Sequence, residues 1–195
     1  MNAEDRIGPY LEETVGTITR TAERCAEQIA EGAALIADSI RRGGKVLICG
    51  NGGSAADSQH LAAELVGTLT LDRRRPSIPA IALTTDTSIL TAVANDFGFE
   101  GVFARQVEGL GRAGDVLIGI STSGNSEDVL LAVEVAGRQG LRTIALTGES
   151  GGKLAPTADV AIRVPSDETS HVQEAHLAVE QLIAFLVEDE LYPQR

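Results

Sequence analysis

The sequence predicts an α/β protein whose core is a doubly wound α-β-α sandwich with a central five-stranded parallel sheet. Short runs rich in Val and Ile alternate with longer segments of helical periodicity, which is typical of this fold class. The short runs are continuously apolar, as expected for parallel strands that helices cover on both faces. A length of 195 residues suits one such domain with a substantial core.

A helical segment is expected ahead of the first strand. Apolar residues recur at helical spacing from Leu11 to Ile40, which fits either one long helix or two consecutive helices over residues 8–42. The apolar face of this segment has to be buried, either on its own domain or on a partner subunit. We therefore divide the chain into an N-terminal helical arm over residues 1–43 and an α/β domain over residues 44–195.

The remaining elements follow in alternation. The expected strands are KVLIC (45–49), PAIAL (79–83), DVLIGI (115–120), RTIAL (142–146) and DVAIRV (159–164). The expected helices span residues 55–66, 88–95, 100–110, 127–139 and 170–190.

Composition narrows the functional classes. The 16 Lys and Arg are outnumbered by 28 Asp and Glu, aromatic residues make up 3% of the chain, and there is no Trp. Such a chain lacks the positive charge and the stacking surfaces that nucleic-acid binding needs, and it disfavours an anionic membrane surface. The sequence has neither a secretion-signal pattern nor an apolar run of roughly 20 residues, so we expect a cytoplasmic protein with reduced Cys25 and Cys49.

Two strand-to-helix turns differ from ordinary loops: GNGGSA at 50–55 and STSGNS at 121–126. The second places four hydroxyls and a glycine before a helix that Asn125 or Ser126 could cap. Hydroxyls at a helix N-terminus bind phosphate without a basic side chain, although a simple capped turn would have a similar composition. Both turns follow strands of the predicted parallel sheet, where ligands bind.

The first turn fits neither of two common nucleotide motifs. No Gly-Lys-Ser/Thr follows it, and no acidic residue ends the next strand. Its glycines, with the Asn51 amide and the Ser54 hydroxyl, suit a polyhydroxyl ligand. The two turns together predict a sugar-phosphate site.

His60 and Glu64 follow the first turn, four residues apart and therefore on one face of the helix. That face could look into the same crevice. They could equally form an exposed charge pair or half of a metal site.

Several segments, in order along the chain, resemble the sugar isomerase (SIS) domain family and, within it, the phosphoheptose isomerases. These segments are GNGGSAADSQHLAAEL (50–65), TAVANDFG (91–98), ISTSGNS (120–126), ALTGESGGKLA (145–155) and VQEAH (172–176). The resemblance implies an aldose–ketose isomerase that acts on D-sedoheptulose 7-phosphate through an enediol. It also implies a homotetramer that assembles through the N-terminal helices and shares sites between subunits.

The resemblance implies roles for individual residues. The phosphate-binding turn corresponds to Ser121, Thr122, Ser123 and Ser126, and the sugar-contacting residues to Asn51, Gly52, Gly53, Asn95, Asp96 and Gln173. Zn²⁺ ligands are implied at His60, Glu64 and Gln173, with Glu64 also the base and His60 part of the catalytic pair.

One position departs from the family pattern. The isomerases carry a second histidine, an acid/base and metal ligand, where this chain has Gln181. An amide can ligate weakly through its oxygen, but it cannot exchange a proton near neutral pH. His176 and Glu180 lie on the same stripe of the last helix as Gln173 and could face the crevice, with a structural role favoured for His176. His171 is expected to be solvated.

The departure keeps two alternatives open. A related adaptor, which associates with the bacterial replication initiator, keeps the fold without the catalytic residues, and ELYPQ at 190–194 resembles its tail. A sugar-phosphate sensor would bind without turnover. Glu64 together with His60 favours the enzyme, and Gln181 favours the alternatives.

Overall fold

The computed structural model describes residues 2–70 and 74–193. The helices are α1 (Glu4–Arg41), α2 (Gly53–Val66), α3 (Thr87–Phe97), α4 (Ala104–Leu110), α5 (Glu127–Arg138) and α6 (Thr169–Leu191). The strands are β1 (Val46–Gly50), β2 (Ala80–Ala82), β3 (Val116–Ser121), β4 (Arg142–Thr147) and β5 (Val160–Arg163). Two short 3₁₀ turns lie at Phe99–Gly101 and Ala155–Thr157. Gln194, the last residue of the ELYPQ segment, lies outside the described residues.

The five strands form one parallel sheet in the order β2-β1-β3-β4-β5. The predicted fold class is confirmed, and each predicted strand lies within two residues of its observed bounds. The helix expected over 100–110 is shorter, since a 3₁₀ turn takes its first residues and α4 begins at Ala104. Between them, Val102 and Phe103 insert into the core instead of continuing a regular helix.

The N-terminal segment is a single helix, and most of it belongs to the domain core. Cys25, Ile29, Ala33 and Ile36 pack in one cluster with α2, α6 and one face of the sheet. The first turns of α1 are different, because Ile7, Leu11 and Val15 are exposed. The domain itself therefore covers the second part of the long apolar stripe and leaves the first part exposed.

The opposite face of the sheet is covered by α4 and α5, with α3 packed at its margin. Leu47 and Leu117 point to this side, whereas Ile48 and Ile118 point to the α1 side. Strands covered on both faces explain their continuous apolar sequences. Among the described residues, no helix combines the length and the apolar character needed to cross a membrane.

Candidate active site

The two turns singled out in the sequence lie side by side at the carboxyl ends of β1 and β3. These strands are neighbours, with Gly50 in register with Ile120. The sheet order reverses here, since β1 pairs with β2 on one side and with β3 on the other. Ligands of open parallel sheets bind at such a reversal, so the fold brings the two turns to one crevice.

The hydroxyls of the second turn converge. Ser121 Oγ lies 2.9 Å from Ser126 Oγ and 3.4 Å from Ser123 Oγ. Of the two candidate caps, Asn125 and Ser126, Ser126 occupies the N-cap position of α5, but its side chain makes no capping hydrogen bond. The hydroxyl groups and the helix N-terminus therefore form a neutral cluster of donors suited to phosphate oxygens. Thr122 contributes structurally as well, because its carbonyl oxygen accepts from Gly148 N at 2.9 Å.

A third loop, residues 148–153 after β4, packs directly on the second turn. Gly124 has a φ of +65°, and a Cβ there would lie 2.2 Å from the carbonyl oxygen of Gly151. Leu154 N donates to Gly124 O at 3.0 Å, and Lys153 N donates to Asn125 Oδ1 at 3.2 Å. Glycine at 124 is thus required both by conformation and by space. No role was predicted for this loop, which fixes the shape of the second turn.

The glycine turn after β1 is shaped by contacts with α5 and α6. Asn51 Nδ2 donates to Asp128 Oδ1 at 3.0 Å, which holds the predicted sugar-contacting amide against α5. A Cβ on Gly53 would lie 2.0 Å from Gln173 Nε2. Only glycine therefore lets the Gln173 amide lie over this turn. Ser54 is buried, and Gly52 is exposed with a φ of +56°.

His60 and Glu64 face α6. Gln181 Nε2 lies 2.5 Å from His60 Nε2, so the amide and the imidazole are in hydrogen-bond contact. Glu64 Oε1 lies 3.5 Å from the same His60 nitrogen. The side chain of Glu64 is 20% exposed and that of His60 is 39% exposed. A carboxylate, an imidazole and an amide thus meet at one point between α2 and α6.

The residues at this point offer donor atoms to a divalent cation. His60 supplies an imidazole nitrogen and Glu64 a carboxylate oxygen, and rotation of the Gln181 amide would present its oxygen where its nitrogen now lies. Within the described parts of the chain, no cluster of three or more His, Cys, Asp or Glu suits a metal, since the remaining donors here are glutamines. The set fits a divalent cation, but amide oxygens are weaker zinc ligands than imidazole.

Behind this site lies a buried acidic pair, Asp57 and Glu180, that was not predicted from the sequence. Burial, with a smaller contribution from the Asp57 charge, raises the pKa of Glu180 to about 9. Burial also raises the pKa of Asp57 to about 6, partly offset by His60. Among residues 2–70 and 74–193, neither carboxylate oxygen of Glu180 has a hydrogen-bond partner. The Glu180 carboxyl is therefore protonated at neutral pH.

Neither of the two residues considered as substitutes for the missing histidine faces the crevice. Glu180 and His176 are both fully buried. His176 Nε2 lies 3.2 Å from the carbonyl oxygen of Thr147, and burial lowers its pKa to about 4. His176 is thus a neutral residue that joins α6 to β4, which agrees with the structural role favoured for it.

The expectation that His171 is solvated was wrong. The residue is 7% exposed, because Tyr10 of α1 packs against its ring with ring centroids 4.6 Å apart. Glu174 Oε2 lies 3.0 Å from His171 Nδ1, and Thr14 Oγ1 lies 3.2 Å from the same nitrogen. The sequence could not reveal this burial, since it depends on how far α1 extends along α6.

Asn95 and Asp96 lie near the end of α3, on the helix that follows β2. Both side chains are exposed, and Asn95 Nδ2 donates to Asp96 Oδ1 at 2.7 Å. Their contact with a sugar stays a prediction from the resemblance.

Comparison with known proteins identifies the family. A family model described as the SIS domain matches residues 9–148. A phosphoheptose isomerase of Akkermansia muciniphila is 56% identical over 86% of this chain and 87% of its own length. That of Rhodospirillum rubrum is 51% identical over 96% of this chain and 98% of its own length.

Solved structures agree with the sequence relatives. The phosphoheptose isomerase of Neisseria gonorrhoeae superposes with a TM-score of 0.91 at 41% identity, covering 96% of this chain and all of its own. That of Francisella tularensis gives a TM-score of 0.92 at 39% identity. The crevice lies at the reversal between β1 and β3, and the relatives match this chain over most of its length. The chain therefore belongs to the SIS domain family and, within it, to the phosphoheptose isomerases.

Proposed function

We propose that the protein interconverts D-sedoheptulose 7-phosphate and D-glycero-D-manno-heptose 7-phosphate. The observation that carries the proposal is the meeting of Glu64, His60 and Gln181 between α2 and α6, where α2 begins at the glycine turn. A carboxylate on the helix that begins at the glycine turn, together with a hydroxyl-lined second turn suited to phosphate, fits proton transfer on a sugar phosphate. Family membership supports the same reaction class.

The reaction moves one proton between neighbouring carbons. A base removes the proton from the carbon beside the carbonyl, an enediol forms, and the proton returns to the other carbon. No electron acceptor is needed, because the substrate is oxidised at one carbon and reduced at the next. The partly exposed Glu64 carboxylate is the candidate base.

His60 is the second participant. Of the three histidines, only His60 is not buried, so it can reach a substrate. It either shuttles the oxygen-bound proton or, when a cation is bound, ligates it. Zn²⁺ held by His60, Glu64, Gln173 and Gln181 would supply a Lewis acid for the carbonyl oxygen. Gln181 itself can orient the sugar oxygens by hydrogen bonds but cannot transfer a proton.

The phosphate is assigned to the second turn. Ser121, Ser123 and Ser126 offer clustered hydroxyls at the N-terminus of α5, with Thr122 beside them. The resemblance assigns Asn51, Gly52, Gly53, Asn95 and Asp96 to the sugar, together with Gln173, whose amide lies over the glycine turn. Ser54 is assigned to the sugar by its hydroxyl in that turn. The phosphate would thereby anchor the substrate while its carbonyl end reaches Glu64.

A homotetramer in the cytoplasm, with sites shared between subunits, completes the proposal. The exposed apolar residues at the start of α1 support assembly, since Ile7, Leu11 and Val15 are 58%, 55% and 63% exposed. A second subunit would bury them. Light scattering tests the assembly.

One observation favours a second candidate. Gln181 in place of the second family histidine suits a non-catalytic adaptor or a sugar-phosphate sensor. The isomerase is the stronger candidate, because the sequence relatives over most of the chain are phosphoheptose isomerases. Solvent-deuterium exchange into the sugar phosphate separates turnover from binding alone.

A further inference from the structure

A buried ion pair lies at the far end of α2, outside the crevice. Arg75, in the loop before β2, contacts Glu188 of α6 with its Nε 2.6 Å from Glu188 Oε1. Both side chains are 1% exposed. The backbone N–H of Leu69 also donates to this carboxylate, at 3.1 Å. A fully buried pair of this kind is costly to form, so its geometry calls for an explanation.

The guanidinium also caps the helix that carries the candidate base. Arg75 Nη2 donates to the carbonyl oxygen of Glu64 at 2.8 Å, and Nη1 donates to that of Leu65 at 2.9 Å. The last turn of α2 has no basic residue of its own. Arg75 thus supplies both the donors and the positive charge that the C-terminal carbonyls of a helix require.

The contact of Arg75 with Glu188 also connects the end of α2 to α6. Glu188 lies seven residues, two helical turns, after Gln181 and therefore on the same side of α6. The two helices are joined at His60–Gln181 and again through Arg75. The second junction acts on the backbone of residue 64 itself.

We propose that Arg75 and Glu188 are positioning residues for catalysis, which hold the last turn of α2 at the distance from α6 that Glu64 needs. This inference rests on the proposed role of Glu64. The second turn, which is assigned to the phosphate, lies between β3 and α5 and does not contact this pair. Loss of the pair should therefore lower kcat more than it raises KM.

The first test replaces the pair by apolar residues, Arg75→Met with Glu188→Leu, which leaves no buried charge unpaired. The Glu64 carbonyl oxygen then loses the Arg75 donor, whereas the Leu65 carbonyl oxygen keeps the backbone N–H of Ile78. We expect kcat to fall by about tenfold or more, as small misplacements of catalytic groups do, with KM within about twofold. Hydrogen exchange of the amides around residues 64–67 should rise. Wild-type kcat in the folded double variant would overturn the proposal.

A conservative variant covers the case in which the double variant does not fold. Arg75→Lys keeps the charge beside Glu188 but cannot bond both carbonyls and the carboxylate in a fork. Its kcat should lie between those of the wild type and the double variant, again with little change in KM. Unchanged kcat in Arg75→Lys, or a change in KM alone, would overturn the positioning role.

A matched control is available near the end of α6. Glu190 of α6 pairs at 2.7 Å with Arg41, which lies on α1 and also donates to the Glu190 carbonyl oxygen. Arg41→Met should leave kcat unchanged. Glu64→Gln in the same assay separates the two claims. Full activity there would refute Glu64 as base and this inference with it, whereas an inactive Glu64→Gln beside a fully active Arg75→Lys would refute the inference alone.

Discussion

The Gln181 amide nitrogen lies 2.5 Å from His60 Nε2 and joins α6 to α2 at the candidate active site. The phosphoheptose isomerase pattern has a second imidazole at this position. Here a neutral amide makes the contact instead, so any bound cation would have one imidazole ligand and not two. The pairing therefore bears on both metal affinity and proton transfer.

Replacing Gln181 by histidine should tighten zinc binding. The variant supplies an imidazole beside His60 and Glu64, and imidazole is a better zinc ligand than an amide oxygen. We expect roughly tenfold tighter binding or more, the lower end of what changes around such sites produce, in a competition titration against a chelator. Gln181→Ala is the control and should bind zinc no more tightly than the wild type. Equal zinc affinity in Gln181→His and wild type would show that residue 181 does not face the cation.

Removing the Ser121 or Ser126 hydroxyl should weaken substrate binding. These hydroxyls lie 2.9 Å apart and are assigned to the phosphate. A hydrogen bond to a charged group contributes about 1.5–3 kcal/mol, so each alanine variant should raise KM by about tenfold or more. Ser77→Ala, an exposed serine of the loop before β2, serves as the control. An unchanged KM in both variants would argue against this turn as the phosphate site.

His176 should make stability depend on pH. Burial lowers its pKa from 6.5 to about 4, so between these values the unfolded chain binds a proton that the folded chain does not. The free energy of unfolding should fall as the pH drops from about 6.5 to 4, by at most ~1.4 kcal/mol per pH unit from this residue.

The variant His176→Asn lacks this titration. Urea denaturation at several pH values should give it a flatter dependence than the wild type over that range, whatever its absolute stability. Parallel curves for the two proteins would contradict the assignment of a buried neutral imidazole.

Charging the exposed start of α1 should break the oligomer without unfolding the domain. Leu11 and Val15 are 55% and 63% exposed, so Leu11→Glu with Val15→Glu removes little burial within the subunit. Light scattering should report a lower mass, while the melting temperature changes little. Thr19→Glu, at an exposed polar position of the same helix, is the control. An unchanged mass would remove the proposed role of this surface.

Deleting residues 1–42 would not test assembly in the same way. Ile29 and Ile36 belong to the core cluster that also contains the sheet. Their loss would destabilise the domain itself, because large cavities in a core cost several kcal/mol, roughly 2–5 for each such side chain. The point substitutions separate assembly from folding.

The sheet could be predicted because its strands are buried on both faces. Continuous runs such as VLICG and VLIGIS allow few other structures between glycine-rich turns. The two turns could be located for the same reason, since each directly follows such a strand. The local signal also sufficed for the hydroxyl cluster, whose members lie within six residues.

Contacts between distant residues could not be predicted. Arg75 and Glu188 are 113 residues apart, and the arginine lies in a loop whose sequence, RRRPS, indicates only a polar turn. The burial of His171 depends on Tyr10 of α1, and that of Glu180 depends on the packing of α6 against α2. Sequence periodicity gives the face of a helix, but it does not give the partner that covers it.

The central claim is proton transfer by Glu64, and solvent-deuterium incorporation into D-sedoheptulose 7-phosphate, followed by NMR with and without added Zn²⁺, tests it most directly. We expect enzyme-dependent exchange with aldose formation in the wild type. Glu64→Gln should lose at least about 10²-fold in rate, as removal of a general base does, while still binding the sugar phosphate. Wild-type exchange in Glu64→Gln would contradict Glu64 as the base. Tight binding without exchange in the wild type, persisting in Gln181→His, would contradict the isomerase and establish the adaptor or sensor alternative.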